Sequence, residues 1–226
     1  MARLSPSALI FDVFGTCVDW RRSLAREVAR VLDVDALAFA DAWRAEYQPA
    51  MENVRTGARG YVRLDTLHAE NMSRVAARFG VAAPAELNAA WERLDPWPDV
   101  LPGLERIKAH RIVAPCSNGS IALMTRLARY AGLPWDCILG AEIARAYKPA
   151  SVVYQAACEA LDLPPARVMM VAAHNDDLAA ARAAGLATAF VPRPREHGPD
   201  QTTDLEPSAD WDICAADFEE LAEALP

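Results

Sequence analysis

Residues Ala8–Arg21 read ALIFDVFGTCVDWR, and this stretch decides the fold. Leu9, Ile10 and Phe11 form a short apolar, β-prone run that ends in Asp12, and Gly15-Thr16 then breaks the strand. A carboxylate is thereby left at the carboxyl end of a strand, which in open α/β sheets is where ligands bind. An isolated Asp in such a place more often only terminates a strand or caps a turn, so the rest of the chain must decide.

From Asp99 onward, strand-like and helix-like patterns alternate. Strands are expected at 112–116, around 137–139, and at 168–172, 188–191 and 211–214; helices are expected over 102–109, 121–131, 151–161, 176–184 and 215–225. Gly132 and Gly185 sit just past two of the helices, as C-terminal caps do. Short β-rich runs joined by helices imply right-handed crossovers and a parallel sheet. The first strand must join that sheet, because alone it leaves its backbone unpaired. Residues 22–97 are helical in pattern instead. Asp35 caps a helix over 36–48 that Pro49 stops, 62–79 is a second helix stopped by Gly80, and 85–94 is a third after Pro84. Asp95-Pro96-Trp97-Pro98-Asp99 reads as a linker, and Arg193 to Pro207 as a surface loop. The expectation is an α/β protein with a Rossmann-like parallel-sheet core from residues 1–21 and 98–226. A helical cap domain, 22–97, is inserted after the first strand.

The 226 residues, 53% of them hydrophobic, can supply a substantial core. A net charge of −8 without a long basic run argues against nucleic acid or an anionic membrane as partner. No apolar run approaches the roughly 18 residues of a membrane span, and the N-terminus lacks a signal-peptide core, so a cytoplasmic location is expected. The five cysteines are widely spaced, without a Cys-x-x-Cys pair, and read as reduced packing residues.

Four further places offer polar groups to the sheet edge that carries Asp12. The strand at 112–116 runs into Ser117-Asn118-Gly119-Ser120, which either caps the next helix or receives an anion. Lys148, in Tyr147-Lys148-Pro149, precedes the helix with Tyr154 and is either a solvated charge or a site cation. Ala172-Ala173-His174-Asn175-Asp176-Asp177 places four polar side chains at a helix start, as caps or as chemistry. Arg44 shares a helical stripe with Leu37, Ala40 and Tyr47, so its guanidinium must find an anion or snorkel to solvent. Separately each is ambiguous. Together they converge on one edge, suited to binding or attacking an anionic small molecule.

These motifs resemble the haloacid dehalogenase superfamily of hydrolases, and within it the L-2-haloacid dehalogenases of type II. The superfamily's phosphatases carry an acid two residues after the nucleophile to protonate the leaving alkoxide; here that residue is Phe14. A halide leaves without a proton, so dehalogenation needs no such acid. The phosphatases' magnesium carboxylate, four residues before the last acidic position, corresponds to Ala173, and no metal or other cofactor is expected.

The resemblance implies that Asp12 attacks C2 of a short L-2-haloalkanoate, expels halide with inversion and forms an ester, which water cleaves to a D-2-hydroxy acid. It casts Arg44 as the cap arginine for substrate carboxylate or halide. Ser117, Asn118 and the backbone N–H groups of Val13 and Phe14 hold the carboxylate. Lys148 keeps Asp12 ionised, supported by Thr16 and Tyr154, and Asp177 holds Lys148 or the hydrolytic water. Phe14, Trp43 and Leu64 form the apolar wall. Well-known members have serine and asparagine where this chain has Ala172 and His174, and an aromatic residue at Asp176, so His174 or Asn175 takes over a water- or halide-binding role. Dimers are common among such proteins, which makes a homodimer the corresponding expectation. The competing readings are a phosphatase or phosphonatase of the same superfamily, and a noncatalytic binding protein on the same fold.

Overall fold

The computed structural model describes residues 5–225. Its centre is β1 (Ala8–Phe11), whose residues alternate between two cores as the two-residue strand period requires: Leu9 and Phe11 pack on one face of the sheet and Ile10 on the other. Past Gly15, at φ +94°, a two-residue strand β2 (Val18–Asp19) leads into α1 (Trp20–Ala29), which Asp19 caps by accepting from Arg22 N. Then come α2 (Ala36–Ala45), α3 (Tyr47–Arg55) and α4 (Leu64–Arg78). A 3₁₀ segment, Ala85–Glu92, and a second two-residue strand, β3 (Asp95–Pro96), complete this part.

The remainder alternates: α5 (Val100–Lys108), β4 (Ile112–Ser117), α6 (Ile121–Ala131), β5 (Leu139–Gly140), α7 (Ala141–Ala144) and α8 (Ser151–Ala160) come first. They are followed by β6 (Val168–Ala172), α9 (Asn175–Ala183), β7 (Ala187–Phe190), β8 (Ile213–Cys214) and α10 (Phe218–Ala224). Six strands form one parallel sheet in the order β5-β4-β1-β6-β7-β8. The chain therefore builds outward from β1 on one side, then returns to build on the other. That reversal opens a crevice at the carboxyl end of β1, where Asp12 stands.

Several expectations are corrected. Pro49 does not stop a helix; it lies in the first turn of α3, where a missing N–H costs no intrahelical bond. The segment after Pro84 is 3₁₀ rather than α, and its buried Leu87, Ala90 and Trp91 include the three-residue spacing that a 3₁₀ turn superimposes. Asp95 and Pro96 are not simply linker, since β3 pairs antiparallel with β2. The final helix starts at Phe218 because Asp217 caps it, accepting from Glu220 N. Gly132, in the left-handed region at φ +72°, ends α6 as expected. All five cysteines are free, and among the described residues no helix is long and apolar enough to cross a membrane.

Candidate active site

Asp12 is buried, and both its oxygens are engaged. Oδ1 accepts from Lys148 Nζ at 2.9 Å; Oδ2 accepts from Thr16 Oγ1 at 2.8 Å and lies 3.2 Å from His174 Nδ1. Thr16 in turn accepts from Ala173 N at 2.9 Å, which ties the loop after β1 to the loop after β6. Burial alone pushes the Asp12 carboxyl up. The charge of Lys148, followed by the hydrogen bond and charge of His174, outweighs it and holds Asp12 far below the usual carboxylate range.

Lys148 also bonds Asp177 Oδ2 at 2.5 Å, and Tyr154 OH donates to Asp177 Oδ1 at 2.5 Å. One ammonium thus stands between two carboxylates. Burial works against its charge, but Asp12 and Asp177 raise the Lys148 pKa well above normal. Burial pushes Asp177 up, with Lys148 pulling the other way. Lys148 is placed from behind by Asn118, whose Oδ1 accepts from Lys148 N at 2.8 Å. Ser117 is fully buried, its Oγ accepting from Gly119 N at 3.0 Å, while Ser120 caps α6.

A cleft of about 830 Å³ lies over this cluster, lined among others by Asp12, Phe14, Trp20, Arg44, Tyr47, Asn118, Lys148 and His174. Arg44 stands at this cleft. It does not snorkel freely: its Cζ stands 4.1 Å from the Tyr47 ring centroid and 5.4 Å from that of Trp20, and its Nη1 is buried without a hydrogen-bond partner. Among the described residues no carboxylate forms an ion pair with it, whereas the nearby Asp41 is occupied by Arg21 through two 2.7 Å bonds. A guanidinium without an ion-pair partner, at a cleft that also holds an aspartate, has the chemistry to hold a small anion.

The apolar wall differs from expectation. Phe14 lines the cleft, but Trp43 and Leu64 are fully buried and do not. Trp43 donates its indole N–H to His68 O and packs at 5.5 Å from Trp91; Trp20 and Tyr47 face the cleft instead. Asn175 lines the cleft, yet its amide is spent on the following loop, bonding Asp204, Glu206 O, Ser208 N and Trp211 Nε1.

The residue that sequence reasoning missed is Glu196. The stretch from Arg193 is not wholly a surface loop: the Arg193 guanidinium is buried on Asp99 through two 2.8 Å bonds, and Glu196 is 2% exposed. Glu196 Oε2 lies 2.8 Å from His174 Nε2, and its Oε1 accepts from Trp20 Nε1 at 2.9 Å. Burial pushes the His174 imidazole down, but Glu196 and Asp12 on its two sides raise it well above its usual value. The one available signal was Gly15, whose missing Cβ leaves the space that Glu196 fills.

The magnesium of the phosphatase relatives does not fit these residues. Lys148, Thr16 and His174 occupy the Asp12 oxygens, Phe14 and Ala173 bring no side-chain oxygen, and no group of three candidate ligand side chains assembles among the described residues.

The parallel sheet, the aspartate at its central switch point and the Lys148–Asp177 pair beside it define a hydrolase class. The chain belongs to the haloacid dehalogenase-like hydrolases, whose family model matches residues 6–185. Among solved structures, it is similar to the defluorinating L-2-haloacid dehalogenase Rha0230, with 49% identity and a TM-score of 0.95 over 97% of this chain and 95% of that one. The L-2-haloacid dehalogenase PA0810 is 46% identical, with a TM-score of 0.94 over 97% and 98% of the two chains. The (S)-2-haloacid dehalogenase 4A of Burkholderia cepacia is 28% identical over 193 residues, 82% of this chain and 83% of that one.

Proposed function

We propose that the protein hydrolyses short L-2-haloalkanoic acids to D-2-hydroxy acids without a metal ion, through an ester on Asp12. The observation that supports this best is the pairing of a buried, hydrogen-bonded Asp12 with an Arg44 guanidinium that forms no ion pair among the described residues and whose Nη1 has no hydrogen-bond partner. The substrate carboxylate, brought in by Arg44 and Asn118, presents C2 to an Asp12 oxygen. That oxygen forms a bond to C2 while the C2–halogen bond breaks from the opposite side, and the electron pair leaves on the halide. Phe14, Trp20 and Tyr47 enclose the alkyl group, and the aromatic faces leave the guanidinium weakly hydrated. Lys148 prevents protonation of Asp12 and orients it. Water then attacks the ester carbon and regenerates Asp12.

In this reading residues 22–97 act as a cap over a core of 1–21 and 98–226, with Arg44 as the cap's contribution to substrate binding. Five free cysteines suit a cytoplasmic setting.

Halide release from L-2-chloropropionate in excess chelator is the expected result, with oxygen from heavy-oxygen water appearing in Asp12 and no turnover by Asp12→Asn. Magnesium-dependent release of phosphate from a generic ester, with no halide release, overturns the proposal.

A further inference from the structure

We propose that Arg55, the last residue of α3, is a positioning residue for Lys148: by holding the Lys148 carbonyl it sets the ammonium against Asp12, and so governs the nucleophilic step without touching substrate or nucleophile. This deepens the dehalogenase reading above and rests on it. Three observations carry it.

Lys148 is gripped on both sides of its Cα. Its N–H donates to Asn118 Oδ1 at 2.8 Å, and its carbonyl accepts from Arg55 Nη1 at 3.1 Å, a donor 93 residues earlier in the chain. A lysine stem is flexible, so the place of an ammonium that lies 2.9 Å from Asp12 Oδ1 and 2.5 Å from Asp177 Oδ2 is set by where its Cα is held. The neighbouring residue is anchored in the same direction, since Tyr147 OH donates to Val62 O at 2.7 Å.

The guanidinium is aimed before it reaches Lys148. Its Nε donates to Glu52 Oε2 at 2.7 Å and its Nη2 to Gln48 Oε1 at 3.2 Å, both one or two turns back on α3, which leaves Nη1 directed at the Lys148 carbonyl. The planar fork of arginine makes three such contacts at once, as a lysine in its place does not.

The helix that ends in Arg55 begins at Tyr47, whose ring carries Arg44 at 4.1 Å. Nine residues of helix span about 13 Å. That rod fixes the spacing between the guanidinium that receives the substrate anion and the carbonyl of the lysine that holds the nucleophile.

A cavity of about 770 Å³ beside the cleft is bordered by Arg55 and by Arg59. Arg59 bonds Glu70 at 2.6 and 2.8 Å, away from Lys148, and serves as the control for loss of a cation from this margin. Without Arg55, water in that cavity can solvate the freed Lys148 carbonyl, so the fold tolerates the loss while the alignment of the ammonium does not.

The experiment is single-turnover halide release from L-2-chloropropionate with enzyme in excess, on wild type, Arg55→Met, Arg55→Lys and Arg59→Met. At saturating enzyme the limiting rate constant is independent of the fraction of protein that is folded, which separates positioning from stability. It is expected to fall about 100-fold in Arg55→Met and about 10-fold in Arg55→Lys, with the half-saturating concentration of folded enzyme changed by less than about threefold. Arg59→Met is expected to match wild type. A wild-type limiting rate in Arg55→Met, a loss confined to the half-saturating concentration, or an equal fall in Arg59→Met overturns the assignment. If Arg55→Met does not fold, Arg55→Lys decides alone: a reduced limiting rate supports the assignment and a wild-type rate overturns it. Absence of any halide release by wild type instead defeats the dehalogenase reading, and this assignment with it.

Discussion

Lys148 Nζ lies 2.9 Å from Asp12 Oδ1 although 136 residues separate the two in the chain. The same ammonium holds Asp177, so one cation bridges two buried carboxylates. Lys148→Met leaves both without it. Removing one partner of a buried ion pair costs about 3–5 kcal/mol, so a clear drop in the urea midpoint is expected together with loss of halide release. A variant of unchanged stability would show that the pair carries little of the fold's electrostatics.

Arg44 lies over the Tyr47 ring with Nη1 unpartnered. Arg44→Lys keeps the charge but not the planar fork. Its kcat/KM is expected to fall about 10- to 100-fold, and that of Arg44→Ala by more, as charge-assisted bidentate contacts are worth more than a point charge. Steady-state kinetics on a 2-haloacid decide it; equal rates in Arg44→Lys and wild type would place the substrate carboxylate elsewhere.

The pH dependence of stability follows from His174 and Asp12. The folded pKa of His174 is raised, so its contribution is complete below the unfolded value of 6.5 and is lost as pH rises through the raised value. Asp12 is depressed, so its contribution is present above 3.8 and is lost as pH falls toward the depressed value. Thermal midpoints measured across pH should therefore decline on the alkaline side of 6.5. That decline should be weaker in His174→Asn, while the acid limb remains.

Gly15 has φ +94°, and a Cβ there collides with the Glu196 carboxylate. Gly15→Ala is thus strained twice, in backbone and in contact. A destabilisation of about 1–3 kcal/mol is expected, and displacement of Glu196 should lower turnover by breaking its contact with His174. Full activity in a stable Gly15→Ala protein would show that Glu196 has another place to go.

Much of this was legible along the chain. The apolar run ending in Asp12, and the strands leading to Ser117 and to His174–Asp177, announce themselves by period and by breakers, and parallel pairing then obliges their ends to share an edge. Other features were settled only by packing. Glu196 lies in a stretch rich in Pro and charge, where local pattern says surface; its burial depends on His174, 22 residues away, and on Trp20, 176 residues away. Trp43 and Leu64 carry the residue types of a pocket wall but are turned into the core, and Trp20 and Tyr47 face the cleft instead. Periodicity records which side of an element is apolar. Which charge meets which, and which ring covers which cation, is set by through-space Coulomb and hydrogen-bond complementarity that exists only once the helices are docked on the sheet.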